Sequence, residues 1–516
     1  MIVVPSSEPA AAESSSLATE HPGAGILIIY TGGTIGSLPR DRRDPLSPLE
    51  PAPIEEVLTG IRTYRPADKT LAISRSRVRI DTRSFDPPLD SSNILPEHWV
   101  RIARIIHDNL GRYEGFVVLH GTDTMAYTAS ALAFMLENLP KPVIVTGSQR
   151  PIGEPRSDAE QNLITAVEIA AARGLGGVAV PEVCVFFRDE LLRGCRSTKQ
   201  SASSYDAFES PNLKPLGLAG DRIVIDRSIV RPLPAGPPLL HTAIEPHVAS
   251  LDIFPGIQPA LLREMLGPMR LRGIVLKTYG SGNAPSSPEL LAALAAAVDH
   301  GVLVVAVTQC PQGEVKLGRY AVSAGLVAAG VVSGLDMTPE AALTKMFVVL
   351  GEEPDPAIAA DMMQLNLRGE QRLSIFKLHF PPGGFSSPAP PGSVQSLRAL
   401  RPMAGYDRFL PARAEAATLT MTGLRIPGAN EGRIRFHAFL NATETGQRSP
   451  AAGNPHYLGE AVKPWRAADG DEVLFLPVAR AAMPLLSATE NTLTLVNETG
   501  APFAWTRLHI ACFADC

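Results

Sequence analysis

The chain has 516 residues, of which 45% are hydrophobic and 19% charged, with a formal net charge of −5. That excludes a small disulfide-stapled scaffold, a disordered chain and a basic nucleic-acid binder, and leaves room for two or three separate cores. Its 43 glycines and 47 prolines follow no short period, so collagen-like and repeat architectures are excluded as well. Cys184, Cys195, Cys310, Cys512 and Cys516 form no C-x-x-C pair and no zinc spacing, so reduced thiols, no metal and a cytoplasmic location are expected. No window approaches the ~20 apolar residues of a membrane span, and residues 1–23 hold neither Lys nor Arg, so neither a membrane nor a signal peptide is expected.

In chain order, residues 1–23 are rich in Ser, Ala, Pro and Glu and read as a disordered tail. From Gly25 onward, Ile26 to Tyr30, Phe116 to His120, Val143 to Thr146 and Val183 to Phe187 are short apolar runs bounded by glycine, the pattern of buried parallel strands. Trp99 to Asn109, Ala126 to Asn138 and Asp158 to Ala172 alternate with them at helical spacing, which predicts an α/β domain over residues 24–213. A Pro-rich linker is expected over 214–238. A smaller α/β domain follows over 239–379, with strands at Gly273 to Tyr279 and Val302 to Thr308 around a helix from Pro288 to His300. Residues 380–402 are dense in Pro, Gly and Ser and read as a second linker. Over 403–516 the runs Thr418 to Ile426, Arg433 to Asn441, Glu472 to Val478, Thr492 to Glu498 and Trp505 to Phe513 alternate apolar and polar residues, as an antiparallel β-sandwich-like domain would.

Three segments could carry chemistry. Ile28 to Ser37 runs a strand into Thr31-Gly32-Gly33-Thr34, where two glycines let a ligand reach backbone N–H groups beside a hydroxyl. A plain strand-to-helix turn explains the same residues. Val117 to Ala126 repeats the arrangement with His120-Gly121-Thr122-Asp123, where Thr122 or Asp123 could be an ordinary helix cap and His120 either a core side chain or a general base. Arg193 to Lys199 ends in a lysine that is either a solvated cation or, if desolvated beside a hydroxyl, a base toward a threonine. With no G-x-S-x-G elbow and no H-E-x-x-H, a threonine nucleophile remains.

Taken together, TGGTIGS from Thr31, the run from Leu119 to Pro151, DSSN from Asp90, STK from Ser197 and FESPNLKPLG from Phe208 resemble the bacterial type I L-asparaginases, over about Gly25 to Glu370. The resemblance implies two α/β domains and hydrolysis of the side-chain amide of L-asparagine to L-aspartate and ammonia. It implies no metal or organic cofactor, and a homo-oligomer, dimer or tetramer. It matches Thr34 to the first catalytic threonine, Thr122 to the second, and Asp123 and Lys199 to the partners of the second. Gly33, Asp90, Ser91, Ser92, Gly121, Thr122 and Asp123 fall at substrate-binding positions, Ser91 against the α-carboxylate and Asp123 against the α-ammonium. Lys277, Asn283, Thr308 and Cys310 fall where some type I enzymes bind a second, allosteric asparagine, with Lys277 in the place of an arginine, a point charge instead of a bidentate fork. Two departures stand out: the loop Leu38 to Pro48 lacks the family's activating Tyr, and Asn93 replaces an aspartate. The alternatives are a related amidohydrolase acting on glutamine or another amide, and a catalytically silent asparagine-binding protein.

Overall fold

A computed structural model describes residues 14–16 and 25–515, apart from 42, 45, 46, 75, 175, 176, 267–270, 318–320, 386–389, 401–415, 427–430, 443, 452, 467–471, 488–490 and 499–501. The chain divides into two compact units, Met1–Pro246 with Arg368–Glu370, and His247–Leu367 with Gln371–Cys516.

In the first unit, β1 (Ile26–Gly32), β2 (Ser76–Leu89), α1 (Pro96–Asp108), β3 (Gly115–Leu119), α2 (Met125–Met135), β4 (Val143–Thr146), α3 (Ala159–Ala171), β5 (Val183–Phe187), β6 (Glu190–Arg193), β7 (Gly217–Ala219) and β8 (Ile223–Asp226) follow in order. The strands lie in one eleven-stranded sheet whose centre, β5-β4-β3-β1-β2, is parallel, while β6, β7 and β8 continue it antiparallel. The sheet is therefore mixed, where a parallel one is expected from the apolar runs. β1, β3, β4 and β5 are buried at every position, which is why their sequences are continuous apolar runs. In α1, Pro96 stands in the first turn and Trp99, Ile102, Ala103 and Ile106 form one buried stripe at helical spacing. The register sets Tyr30 opposite Leu119 and Gly32 opposite Leu89. The loops that leave β2, β1 and β3 thus start side by side at one end of the sheet, where open α/β folds place their ligands.

The second unit opens with β9 (Val248–Asp252), β10 (Gly273–Thr278), α4 (Pro288–Asp299), β11 (Leu303–Thr308), β12 (Val332–Ser333), α5 (Pro339–Glu352) and α6 (Pro356–Gln364). Its four strands form a wholly parallel sheet in chain order. Antiparallel strands follow: β13 (Leu373–Phe380), β14 (Ser393–Arg398), β15 (Ala416–Leu424), β16 (Glu431–Leu440), β17 (Tyr457–Arg466), β18 (Glu472–Pro477), β19 (Thr492–Asn497) and β20 (Arg507–Asp515). They make two four-stranded sheets, β13-β20-β15-β18 and β14-β19-β16-β17. Phe376, Leu419 and Ile510 of the first share one core with Leu397, Phe436 and Leu495 of the second.

The α/β and β-rich parts of this unit are joined by a charge cluster around the buried Asp361. Asp361 on α6 accepts from His379 Nε2 on β13 at 2.6 Å and pairs with Lys377 Nζ at 3.3 Å, and His509 on β20 stands across from His379 in the β13–β20 register. Burial raises the Asp361 carboxyl, but Lys377 and His379 outweigh it and the net shift is downward.

The structure corrects three boundaries. Residues 214–238, expected as a linker, hold β7 and β8, because that hairpin extends the main sheet past β6. Residues 380–402, also expected as a linker, hold β14 and the strand Gly383–Phe385, paired with β19 and with Phe503–Trp505. Within the leading segment 1–23, Ser14–Ser16 pairs antiparallel with β8, since backbone groups alone suffice for an edge strand. The rest of that segment, and 403–415 of the β-rich region, lie outside the described residues. Among the described residues no helix is long and apolar enough to cross a membrane.

Candidate functional site

Gly32 and Gly33 leave β1 at φ 123° and 89°, a backbone region that side chains rarely adopt, and Thr34 opens a short 3-10 turn beyond them, half-buried. A Cβ on Gly33 would overlap the backbone of Gly121, and a Cβ on Gly121 would overlap the Ser91 side chain. The loops carrying Thr34, Thr122 and Ser91 therefore meet in a glycine-lined cradle. Asp90 closes its own loop: Oδ1 accepts from Ser92 N at 2.8 Å and Ser92 Oγ at 2.7 Å, and these bonds hold its carboxyl below the usual range. Ser91 is buried, Ser92 is exposed, and Thr124 Oγ1 donates to Ser91 O at 2.7 Å, tying this loop to the one after β3.

Lys199 reaches the same place from a short strand, Thr198–Lys199, paired with Phe208–Glu209. Its Nζ donates to Thr122 Oγ1 at 2.9 Å and to Asp123 Oδ1 at 2.7 Å. The lysine side chain is 17% exposed and that of Asp123 67%, so the aspartate keeps an open side toward solvent. The turn behind Lys199 is braced: Ser197 Oγ donates to Gly194 O at 2.9 Å, and Arg196 Nε to Gly369 O at 2.9 Å. Gly369, at φ 83°, sits where any side chain would strike the Arg193 guanidinium, and Arg368 beside it donates to Glu137 Oε2 at 2.9 Å.

Sequence reasoning missed Gln149, whose Oε1 lies 3.4 Å from Thr122 Oγ1 and whose Nε2 donates to Ser204 O at 2.8 Å. A glutamine three residues past a buried strand carries no mark of its own; its place after β4, next to β3, and inside the run from Leu119 to Pro151 could have flagged it. Of the two readings of His120, the structure favours the core side chain. It is fully buried, bonded at both ring nitrogens, and burial pushes its pKa down to about 4.

No tyrosine stands in Leu38 to Pro48, where Ser37–Pro39 pairs with Leu49–Pro51 and Arg40 with Glu50; Arg42, Pro45 and Leu46 lie outside the described residues. Tyr30 is buried beneath the Thr34 turn, where a side chain at Gly36 would strike its hydroxyl, and burial pushes its pKa up to about 12.

The other predicted cluster lies in the second unit. Lys277 is one residue from the end of β10, Thr308 ends β11, and the two strands are adjacent in register. Lys277 Nζ pairs with Asp252 at 2.8 Å, Thr308 Oγ1 accepts from Cys310 N at 3.0 Å, and Asn283 closes a turn by backbone bonds with Tyr279. Cys310 is exposed. Among the described residues, no three or more His, Cys, Asp and Glu side chains are grouped to hold a metal ion.

Comparison with known proteins assigns parts of both units to one family. The profile of the asparaginase N-terminal domain matches residues 25–231, and that of the glutaminase/asparaginase C-terminal domain matches 247–363. The chain is 42% identical over 347 residues to L-asparaginase 1 of Escherichia coli K12, covering 67% of this chain and 97% of that protein. It is 40% identical over 366 residues to the mouse 60 kDa lysophospholipase, covering 67% of this chain and 62% of that protein. The crystal structure of L-asparaginase I from Vibrio cholerae superposes with a TM-score of 0.59 at 41% identity, covering 68% of this chain and 99% of that one.

Proposed function

The chain belongs to the asparaginase family, and from that premise we propose that it hydrolyses the side-chain amide of L-asparagine to L-aspartate and ammonia, with Thr34 as nucleophile. The observation that carries the reading is Lys199 Nζ bridging Thr122 Oγ1 at 2.9 Å and Asp123 Oδ1 at 2.7 Å, in a cradle shared with the Thr34 turn. Thr34 Oγ attacks the amide carbon and gives up its proton, and N–H groups of the Gly33 and Thr122 turns take the charge that develops on the carbonyl oxygen. Collapse breaks the C–N bond, the nitrogen leaves as ammonia with that proton, and an ester remains on Thr34. Thr122, held by the Lys199 bond, orients a water whose hydroxyl goes to the acyl carbon and whose proton returns to the Thr34 oxygen, so that aspartate leaves and the threonine is restored. Asp123 holds Lys199 and offers its open oxygen to the substrate α-ammonium, while Ser91, Asp90 and Ser92 form the α-carboxylate side.

Lys277, Asn283, Thr308 and Cys310 form, in this reading, a second asparagine site that makes turnover sigmoidal. The enzyme works in the cytoplasm as a dimer or tetramer, which sedimentation of the full chain would reveal. Ammonia release from Thr34→Ala and Thr122→Ala proteins tests the assignment: both should be folded and silent, and turnover retained in both sinks it. The loop without a tyrosine favours a second reading, a slower amidohydrolase for another amide or a silent asparagine binder. Tight asparagine binding with no ammonia release would select the latter.

A further inference from the structure

His120 follows β3 directly, is fully buried, and immediately precedes Gly121 and Thr122. Its ring lies in a row of hydrogen bonds whose ends have fixed character. Nδ1 is 2.7 Å from Gly121 O, which can only accept, so Nδ1 carries the ring proton. At the other end, Trp99 Nε1, which can only donate, gives a hydrogen bond of 3.0 Å to Thr128 Oγ1. Thr128 Oγ1 is 2.9 Å from His120 Nε2, and with Nδ1 protonated the neutral ring leaves Nε2 bare to accept the threonine hydrogen. The row therefore runs one way, from Trp99 through Thr128 and His120 to the Gly121 carbonyl. Burial is the main cause holding the ring neutral, and the Gly121 bond is its only counterweight.

A trans peptide is planar, with its C=O and N–H pointing oppositely. A ring that holds the Gly121 carbonyl therefore turns the Thr122 N–H to the other side. Among the described residues that N–H has no backbone or side-chain acceptor within the chain. The preceding His120–Gly121 peptide lies against Gly33 and the Gly121 Cα against Ser91, so the Thr122 N–H leaves from the cradle where the Thr34 turn also lies.

We propose that His120, as the Nδ1–H tautomer, is a positioning residue that fixes the Gly121–Thr122 peptide so that the Thr122 N–H donates to the oxyanion formed from the substrate amide. The proposal rests on the amidohydrolase reading of Thr34 and Thr122. It assigns His120 no contact with substrate and no proton transfer.

The test uses the full chain and asparagine turnover, beside melting temperature. His120→Asn places an amide N–H near the position of Nδ1, whereas His120→Gln reaches toward Thr128 and offers no donor to Gly121. Expected is kcat within about fivefold of the parent for His120→Asn and a loss of about 100-fold for His120→Gln, with KM within about threefold in both, the size of one lost oxyanion donor. Equal kcat in the two variants, or a loss that falls on KM, overturns the proposal. If either variant fails to fold, nitrogen NMR of the parent ring decides: a protonated Nδ1 upholds it and a protonated Nε2 overturns it. Parent protein that is silent toward asparagine and other amides fails the amidohydrolase reading itself, and this proposal falls with it. Parent turnover abolished by Thr122→Ala, with no difference between the Asn and Gln variants, fails this proposal alone.

Discussion

Asp123, four residues past the end of β3, and Asp252, the last residue of β9, each hold a lysine near the carboxyl ends of parallel strands: Lys199 at 2.7 Å and Lys277 at 2.8 Å. The two pairs differ in what surrounds them. Beside Lys199 a threonine hydroxyl is bonded to the ammonium itself, and Gly33 and Gly121 bring two loops into contact through backbone alone. Beside Lys277 the hydroxyls are already engaged, Thr308 with Cys310 N and Thr278 with Val307 O. A lysine, an aspartate and a threonine at a strand end thus recur as a set, and chemistry is favoured only where glycines remove the side chains that would keep the loops apart.

Four changes would break or sharpen that contrast. The largest effect is expected from Lys199→Met, which should lower kcat about 1,000-fold or more with little change in folding, as removal of a member of an interdependent catalytic group does. Lys277→Met should instead abolish sigmoidicity in the substrate curve; an equal loss of kcat in both variants would erase the distinction. Next, Gly121→Ala should cut turnover by about 100-fold and stability by about 1–3 kcal/mol, since its Cβ would overlap Ser91; an alanine protein of parent activity would contradict the cradle.

A smaller effect separates the units by pH. His120 is buried and His509 half-buried in a cationic surrounding, and their folded pKa values lie below the unfolded value of about 6.5, His120 at about 4. The unfolded chain therefore binds more protons, so this stability is complete above about pH 6.5 and declines as pH falls, by at most about 1.4 kcal/mol per pH unit for each histidine. His509→Leu should flatten that decline in a melt of the second unit from pH 7 to 5; an unchanged slope would mean His509 is not the group responsible. The smallest effect is on thiol labelling. Cys310 is exposed, whereas Cys184, Cys195 and Cys512 are buried with thiols raised by burial. Of these four, only Cys310 should react before unfolding, as peptide mapping after alkylation would reveal.

Much of the first unit was legible because its central strands are buried on both faces. Val143–Thr146 and Val183–Phe187 fall where the apolar runs set them, to the residue. β2 was missed because its exposed arginines and aspartates break any apolar run while the backbone still pairs with β1. β14 was hidden for a related reason: Leu397 is its single buried residue, and proline and glycine around it read as a linker. The predicted strand from Trp505 to Phe513 divides at Thr506, since Phe503–Trp505 pairs with Gly383–Phe385 and β20 with β13 and β15. The helix from Ala126 stops at Met135 instead of Asn138 because Leu136–Glu137 pairs with Leu239–Leu240. In the site, Thr122, Asp123 and Lys199 were drawn together by the motif resemblance, the last being 76 residues beyond Asp123. Gln149 lay inside the matched run but at no position given a role, and the Trp99–Thr128–His120 row went unread because nothing in residue type or spacing announces a bond across three elements.

The central claim, that the Thr34 and Thr122 turns form one amide-hydrolysing site, is tested most directly by ammonia release from L-asparagine and L-glutamine with the parent chain and with Thr34→Ala and Thr122→Ala, all confirmed folded. The account predicts asparagine-selective release by the parent and none above background from either variant. Release that survives in both variants, or a parent silent toward both amides, would contradict it.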